Sequence, residues 1–237
     1  LEVVDDEQVP VGTVASGGTF SIVAASEQLV AWAVGGSSSP TVNVTSISGS
    51  ISISLTLDVT ASKDEDEYLE DISGIAVNYS EAEVIDIDMD PSWVVAVVDV
   101  GPVNRTVLVD ILTGEQTLLS DPKWQSSSPS VAHGRVAFLQ IPGPEEVATA
   151  SDVYLHDIRA NTTLAITHDD DVDQLDPQVL LEDVAWVEVD SDGTSALKVY
   201  SGETFQPYSS VILQAAILML IPLLFLWAYQ AASERRD

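Results

Sequence analysis

A short apolar segment with a small residue at its centre recurs along the chain, as Val30-Ala31-Trp32, Val95-Ala96-Val97, Val136-Ala137-Phe138 and Val184-Ala185-Trp186. The central alanines are separated by 65, 41 and 48 residues, and the long first interval holds an acidic insertion, residues 57–82, whose most polar part runs from Lys63 to Asp71. Self-similarity of this period is the mark of stacked repeat units, each too small to bury its apolar face alone.

The segments around each tripeptide repeat as well. Thr41 to Gly49 leads into Ser50 to Thr56, and Thr106 to Gly114 leads into Glu115 to Ser120. Asp152 to Asn161 leads into Thr162 to Thr167, and Leu197 to Gly202 leads into Glu203 to Tyr208. Gly49, Gly114, Asn161 and Gly202 fall where a tight turn wants a residue able to take positive φ. Two tripeptides share a lead-in, Trp124-Gln125 to Val131 and Asp173-Gln174 to Val179. Apolar residues alternate with period two from residue 12 to 208, and no amphipathic helical stretch of useful length is evident. The fold expected for residues 1–208 is all-β.

A unit of about 40 residues with three or four strands has the spacing of a propeller blade. Trp124 to Phe138, continued by Asp152-Val153-Tyr154-Leu155-His156-Asp157 and the turn to Thr167, resembles blades of the TolB-like and WD40-like β-propellers. The likeness covers most of residues 20–208. It implies that the first strand of each unit, taken here as the tripeptide strand, lines a central channel, and it speaks to fold rather than to activity. The expected architecture is a propeller-like array of about four antiparallel blade units, with Val14 to Ala25 as a closing or lead-in strand. A β-sandwich of similar hairpins is the alternative. Related propellers usually close with about six or more blades. A small ring, blades preceding Leu1, or a partner over the open side would each answer the shortfall.

Val211 to Tyr229 is an uncharged, mostly apolar run, long enough at about 1.5 Å per residue to cross the roughly 30 Å core of a bilayer. Residues 209–230 are expected to form a single transmembrane helix kinked at Pro222, with residues 231–237 as a cytoplasmic tail. Tyr208, Trp227 and Tyr229 fall at the interfaces, and Arg235 and Arg236 mark the cytoplasmic flank, so the N-terminal domain lies outside. Every asparagine opens an Asn-X-Ser/Thr triplet, at Asn43, Asn78, Asn104 and Asn161, which adds four candidate glycosylation sites on the same side. The chain begins at Leu1 without a leader, so a secretory signal is expected to have been removed or to lie outside this sequence. Cysteine is absent, which excludes disulfides and thiolate chemistry.

Asp and Glu number 38 against 8 Lys and Arg, for a net charge of −30, which excludes nucleic acid as a partner. A hydrophobic fraction of 46% still supplies a core. Self-repulsion at this charge suits a salt-rich medium, and the composition resembles that of salt-loving or marine archaeal proteins.

Hydrolase and kinase signatures are absent, and the three histidines, His133, His156 and His168, have no ligand spacing. In Asp86-Ile87-Asp88-Met89-Asp90 the carboxylates alternate with Ile85, Ile87 and Met89, so a strand would gather them on one face and bury the rest. Together with Asp190 and Asp192 they are the candidate oxygen ligands for Ca²⁺, although a solvated acidic face is preferred and no cofactor is expected. The Lys63 to Asp71 stretch reads as a projecting solvated loop, or a docking surface for a basic partner. The function expected is a membrane-anchored, outward-facing module that binds protein or glycan, or serves as one subunit of a membrane or cell-surface complex. The alternative is a carbohydrate-active enzyme or accessory subunit using channel carboxylates. Acidic side chains on the innermost strands would favour that alternative.

Overall fold

The computed structural model describes residues 2–4, 10–13, 20–34, 39–141, 150–168, 172–181 and 183–201. Strands β1 (Glu2–Val4) and β2 (Pro10–Thr13) pair as a separate hairpin. The remaining strands form four antiparallel sheets, each built from consecutive strands. Blade 1 comprises β3 (Phe20–Ser26), β4 (Leu29–Val34), β5 (Thr41–Ser46) and β6 (Ser52–Thr56). Helix α1 (Lys63–Ser73) follows. Blade 2 comprises β7 (Glu83–Met89), β8 (Trp93–Asp99), β9 (Asn104–Asp110) and β10 (Gln116–Leu118). Blade 3 comprises β11 (Gln125–Ala132), β12 (Arg135–Ile141), β13 (Asp152–Asp157) and β14 (Thr162–Ala165). Blade 4 has three strands, β15 (Asp173–Leu180), β16 (Asp183–Val189) and β17 (Ser195–Ser201).

The blades stack face to face in chain order, with first strands packed in the series β3, β7, β11, β15. No comparable packing joins β15 to β3 among the described residues, so the series is an open arc. Four sheets in series are not the two facing sheets of a sandwich. The cores lie between blades: Ala31, Ala33, Val42 and Val44 meet Val94, Ala96 and Val98. Val95 and Leu108 meet Val131, Val136 and Phe138. Ala137, Leu139 and Val153 meet Val179, Val184 and Trp186. The second strands of blades 2 and 3 are buried on both sides, which is why Val94 to Val98 and Val136 to Leu139 are continuous apolar runs.

Three sequence expectations are corrected. The tripeptides lie on the second strand of each blade; the lead-ins are the first, inner strands β11 and β15. Of the two roles expected for Val14 to Ala25, a closing or a lead-in strand, Phe20–Ser26 takes the lead-in as the first strand of blade 1, and residues 14–19 lie outside the described residues. The tripeptide of blade 2 is also out of register. Two-residue turns link Ser26 to Leu29, Ala132 to Arg135 and Leu180 to Asp183, and in blade 2 Asp90 faces Trp93 across Pro91 and Ser92. Counting from these turns, Val30, Val136 and Val184 match Val94, so the equivalent segment is Val94-Val95-Ala96 and not Val95-Ala96-Val97. A slip of one residue exchanges the two faces of the strand.

The acidic insertion is the third correction. Residues Lys63–Ser73 form a helix with a capping box, in which Ser62 accepts from the Glu65 N–H (3.3 Å) and the Glu65 carboxylate accepts from the Ser62 N–H (2.9 Å). Gly74, at φ 69°, ends it in the left-handed conformation. Leu69 is fully buried against the core of blades 1 and 2, and Asp66 pairs with the buried Arg105. The insertion is therefore docked onto the arc rather than projecting from it.

The described residues contain no helix long and apolar enough to cross a membrane. The expected span 209–230, with Tyr208, Trp227, Tyr229, Arg235, Arg236 and the turn residue Gly202, lies outside the described residues.

Candidate functional site

Two features of the arc bring polar groups together in an exposed setting: the acidic edge of the inner strands and the end where first and second strands turn. Each inner strand carries one extra residue opposite its partner, between Phe20 and Ile22, Val84 and Asp86, Ser127 and Ser130, and Leu175 and Gln178. In blades 3 and 4 the bulge is a Ser-Pro or Asp-Pro pair, with Ser128 at φ 49° and Asp176 at φ 47°. In blade 2 the bulge falls at Ile85 and resets the alternation, leaving Ile85 exposed while Ile87 and Met89 are buried. The expectation that Ile85 would be buried with them is thus corrected.

Downstream of that bulge, Asp86 and Asp88 share the face turned toward blade 3, opposite Val97 and Val95. Burial raises the Asp86 carboxyl above its usual pKa, a backbone hydrogen bond at Ile87 pulls it back, and the nearby carboxylates of Asp88 and Asp176 push it up again. Asp176 comes from the inner strand of blade 4, so charge from a second blade adds to the shift at Asp86. Asp88 has a different role, because its Oδ2 accepts the Val131 N–H (2.8 Å) and clamps blade 2 to blade 3. Ser130 repeats the clamp one blade on, its hydroxyl accepting the Val179 N–H (3.2 Å).

The other candidate ligands are engaged in turns. Asp90 Oδ1 accepts the N–H groups of Ser92 (2.7 Å) and Trp93 (2.9 Å) and so fixes the turn that sets the register of blade 2. Asp190 Oδ1 accepts from Ser191 N–H and Asp192 Oδ1 from Thr194 N–H, and hydrogen bonding by the Thr194 side chain, then by its N–H, lowers the Asp192 pKa. The structure does not bring Asp90 to Asp86 and Asp88, nor Asp190 and Asp192 to either, and no group of three or more metal-ligating side chains occurs among the described residues.

At the turn end, two clefts adjoin through Pro91, Ser92 and Trp93. One, of about 510 Å³, lies among the turns of blades 1, 2 and 3 and is lined by Glu27, Met89, Asp90, Val131 and His133. The other, of about 560 Å³, lies between blades 1 and 2 and is mostly apolar, lined by Leu29, Ile51, Ile53, Trp93, Ile111 and Leu112. Leu112 is 93% exposed and Ile51 46%, an unusual setting for such side chains. Of these groups the sequence reading singled out Met89, Asp90 and His133. Trp93, Leu112 and Ile51 reach one cleft through blade stacking, and no local motif marks them.

The remaining predicted residues scatter. His156 is buried on β13, its Nδ1 2.9 Å from Thr163 Oγ1, with burial lowering its pKa. Asn161 is exposed at a hairpin turn at φ 50°. Asn43, Asn78 and Asn104 are half-buried; the Asn78 Oδ1 accepts from the Ser80 N–H and hydroxyl within its own triplet.

No family model and no curated protein matches the chain. Its fold is similar to solved structures. Hydrazine synthase of Kuenenia stuttgartiensis matches with TM-score 0.52 and 12% identity over 84% of this chain and 56% of that one. A puromycin-hydrolyzing peptidase of Mycobacterium tuberculosis matches with TM-score 0.51 and 11% identity over 80% and 29%. TolB of Acinetobacter baumannii matches with TM-score 0.45 and 10% identity over 83% and 47%. The chain thus spans only part of each of these proteins. At such identities the likeness to the first two, each with a TM-score above 0.5, bears on fold alone.

Proposed function

We propose that this chain is a binding and structural module, held at the outer face of a membrane by residues 209–230 and acting within a larger membrane or cell-surface complex. The observation that carries this reading is the pair of clefts meeting at Trp93, where an apolar wall of exposed Ile51 and Leu112 and partly buried Ile53 adjoins an acidic rim of Glu27, Asp90 and Asp110. Apolar surface framed by carboxylates suits an apolar side chain carried on a basic segment of a partner protein. Asn161, exposed on a turn, is the triplet best placed for glycosylation in that setting.

The test is purification of the native chain from its membrane at high salt, with partners identified by mass spectrometry and compared for wild type, Trp93→Ala and Leu112→Asp. The reading expects a defined partner lost in both variants while the melting temperature of Leu112→Asp is unchanged. Recovery of the same partners from all three would remove the cleft from the account.

One observation favours a second reading. Asp86, Asp88 and Asp176 come from inner strands, and the raised Asp86 pKa gives the acid half of an acid–base pair of the kind that cleaves glycosidic bonds. Against it, Asp88 is engaged by the Val131 N–H. Polysaccharide cleavage that disappears in Asp86→Asn would make this the leading reading.

A further inference from the structure

The outward face of blade 4 is built like the junctions inside the arc and is exposed. On blade 3 the face turned to the next blade presents Ala137, Leu139, Val153 and Leu155, and blade 4 packs on it. The matching side of blade 4 holds Ala185 and Val187 on β16, with Gln178 opposite Ala185, Leu175 opposite Val187, and Leu180 at the end of β15. On β17, Lys198 pairs with Glu188 (3.3 Å) and Tyr200 packs on the core toward blade 3, so Leu197 and Val199 point outward. Leu197 is 73% exposed, Val199 55% and Leu175 43%. Ala185, short and on the central strand, is shielded by its taller neighbours.

Three observations bear on what fits this face. A second copy cannot continue the series head to tail, because Val30 and Trp32, on the side of blade 1 that would receive it, are already buried. Charge is the second. The chain carries −30, yet the middle of the blade 4 face has no charged side chain, and its acids, Asp173 opposite Val189 and Asp183 opposite Leu180, stand at the two ends. A basic partner would find complementary charge over most of the molecule, whereas a neutral face is where a like-charged copy can approach once salt screens the rest. The third is the polar group at the centre. Asp88 and Ser130 occupy the equivalent position in blades 2 and 3, opposite Val95 and Ala137, and each accepts an N–H from the next blade. Gln178 carries an amide there, which donates and accepts at once and so can pair with its own copy across a twofold axis.

We infer that the outward face of blade 4 is an isologous dimer interface, on which a second copy stacks the same face about a twofold axis crossing the strands at Gln178. Two sheets packed in this way lie about 10 Å apart with their strands within about 30° of alignment. The axis sets β15 of one copy over β15 of its partner, where the Gln178 amides pair, and β17 over β17, where Leu197 and Val199 meet. The exposed parts of Leu175, Gln178, Leu180, Leu197 and Val199 come to roughly 500 Å² per copy, so the pair buries about 1,000 Å², the size at which a specific interface begins. The contact is therefore reversible. It weakens as salt is removed, because the charge of −30 on each copy is then unscreened.

The test uses the full chain in detergent at molar salt and high protein concentration. Light scattering coupled to size exclusion is expected to give two protein copies per particle, falling to one when salt is lowered and in Leu197→Asp combined with Val199→Asp. Leu112→Asp, which alters the cleft of the proposed function, is expected to remain a dimer, so the two readings fail separately. Because the chain has no native cysteine, a short bismaleimide can join Gln178→Cys only to another copy, and this readout holds even if the double variant fails to fold. A covalent dimer from Gln178→Cys, with none from the exposed Leu112→Cys, supports the inference. A single copy at molar salt, a dimer that survives the double variant, or no cross-link through Gln178→Cys would each overturn it. So would a different protein, or the chain's own residues after Ser201, found over the face in the native particle.

Discussion

Arg105 Nη2 lies 2.9 Å from Asp66 Oδ1, tying the third strand of blade 2 to the helix inserted after blade 1. The guanidinium is wholly buried. Its Nη1 donates to the Val59 carbonyl and the Tyr79 hydroxyl, both at 2.7 Å, and its Nε to the Pro122 carbonyl at 3.2 Å. The Tyr79 hydroxyl donates in turn to Asp66 and accepts the Ala61 N–H. Removing one partner leaves the other charge buried and uncompensated, a loss of about 3–5 kcal/mol. Arg105→Met and Asp66→Asn are therefore expected to lower stability strongly in urea titrations at molar salt. Lys63→Ala, which breaks the exposed pair with Glu67, is expected to change it by less than about 0.5 kcal/mol.

The helix start offers a finer test. Ser62→Ala removes the acceptor for the Glu65 N–H and is expected to cost about 1 kcal/mol, whereas Ser62→Asp should retain most of it. Equilibrium denaturation of the two variants distinguishes the cap from a general effect of altering the insertion.

This helix also marks how far the sequence could be read. Ser62-Lys63-Asp64-Glu65 is a capping-box pattern and Gly74 a matching stop, but with seven charged residues among the eleven from Lys63 to Ser73 the stretch reads as a solvated loop. Four blade units were legible because their strands alternate and their turns are marked by Gly and Asn. The register of blade 2 was not, since Val94 to Val98 is apolar on both faces and Ala96 imitates the small residue of the other units. Its phase comes from the Asp90 turn, a local cue outweighed by the repeat. The cleft at Trp93 was invisible for another reason: its walls come from separate blades, and nothing in their local sequence records the stacking.

His156 supplies a prediction in acid. Its folded pKa is held below the usual 6.5, chiefly by burial, with Asp157 opposing. Between the folded and unfolded pKa values the unfolded chain binds the extra proton, so stability declines as pH falls below about 6.5 toward the folded value. His156→Gln, which retains a partner for Thr163, is expected to flatten that part of a melting-temperature profile between pH 7 and 5.

The opposite sign holds at Asp86, and Asp88 is the means of showing it. A carboxyl whose folded pKa is raised binds its proton more tightly in the native state, so stability falls as pH rises from 3.8 through the folded pKa and the full penalty remains at neutral pH. Asp86→Asn is expected to raise the melting temperature at pH 7, with the gain vanishing below about pH 3.8. Part of the penalty comes from the Asp88 carboxylate, so Asp88→Asn, which keeps an oxygen for the Val131 N–H, should shrink the gain from Asp86→Asn. Asp88→Ala relieves the same repulsion but strands that N–H between blades 2 and 3, at a cost of about 1–3 kcal/mol. The two substitutions at one position should therefore differ in sign at pH 7, Asn near neutral or stabilising and Ala destabilising. Equal effects would mean that the clamp contributes nothing and that charge alone governs this edge of the arc.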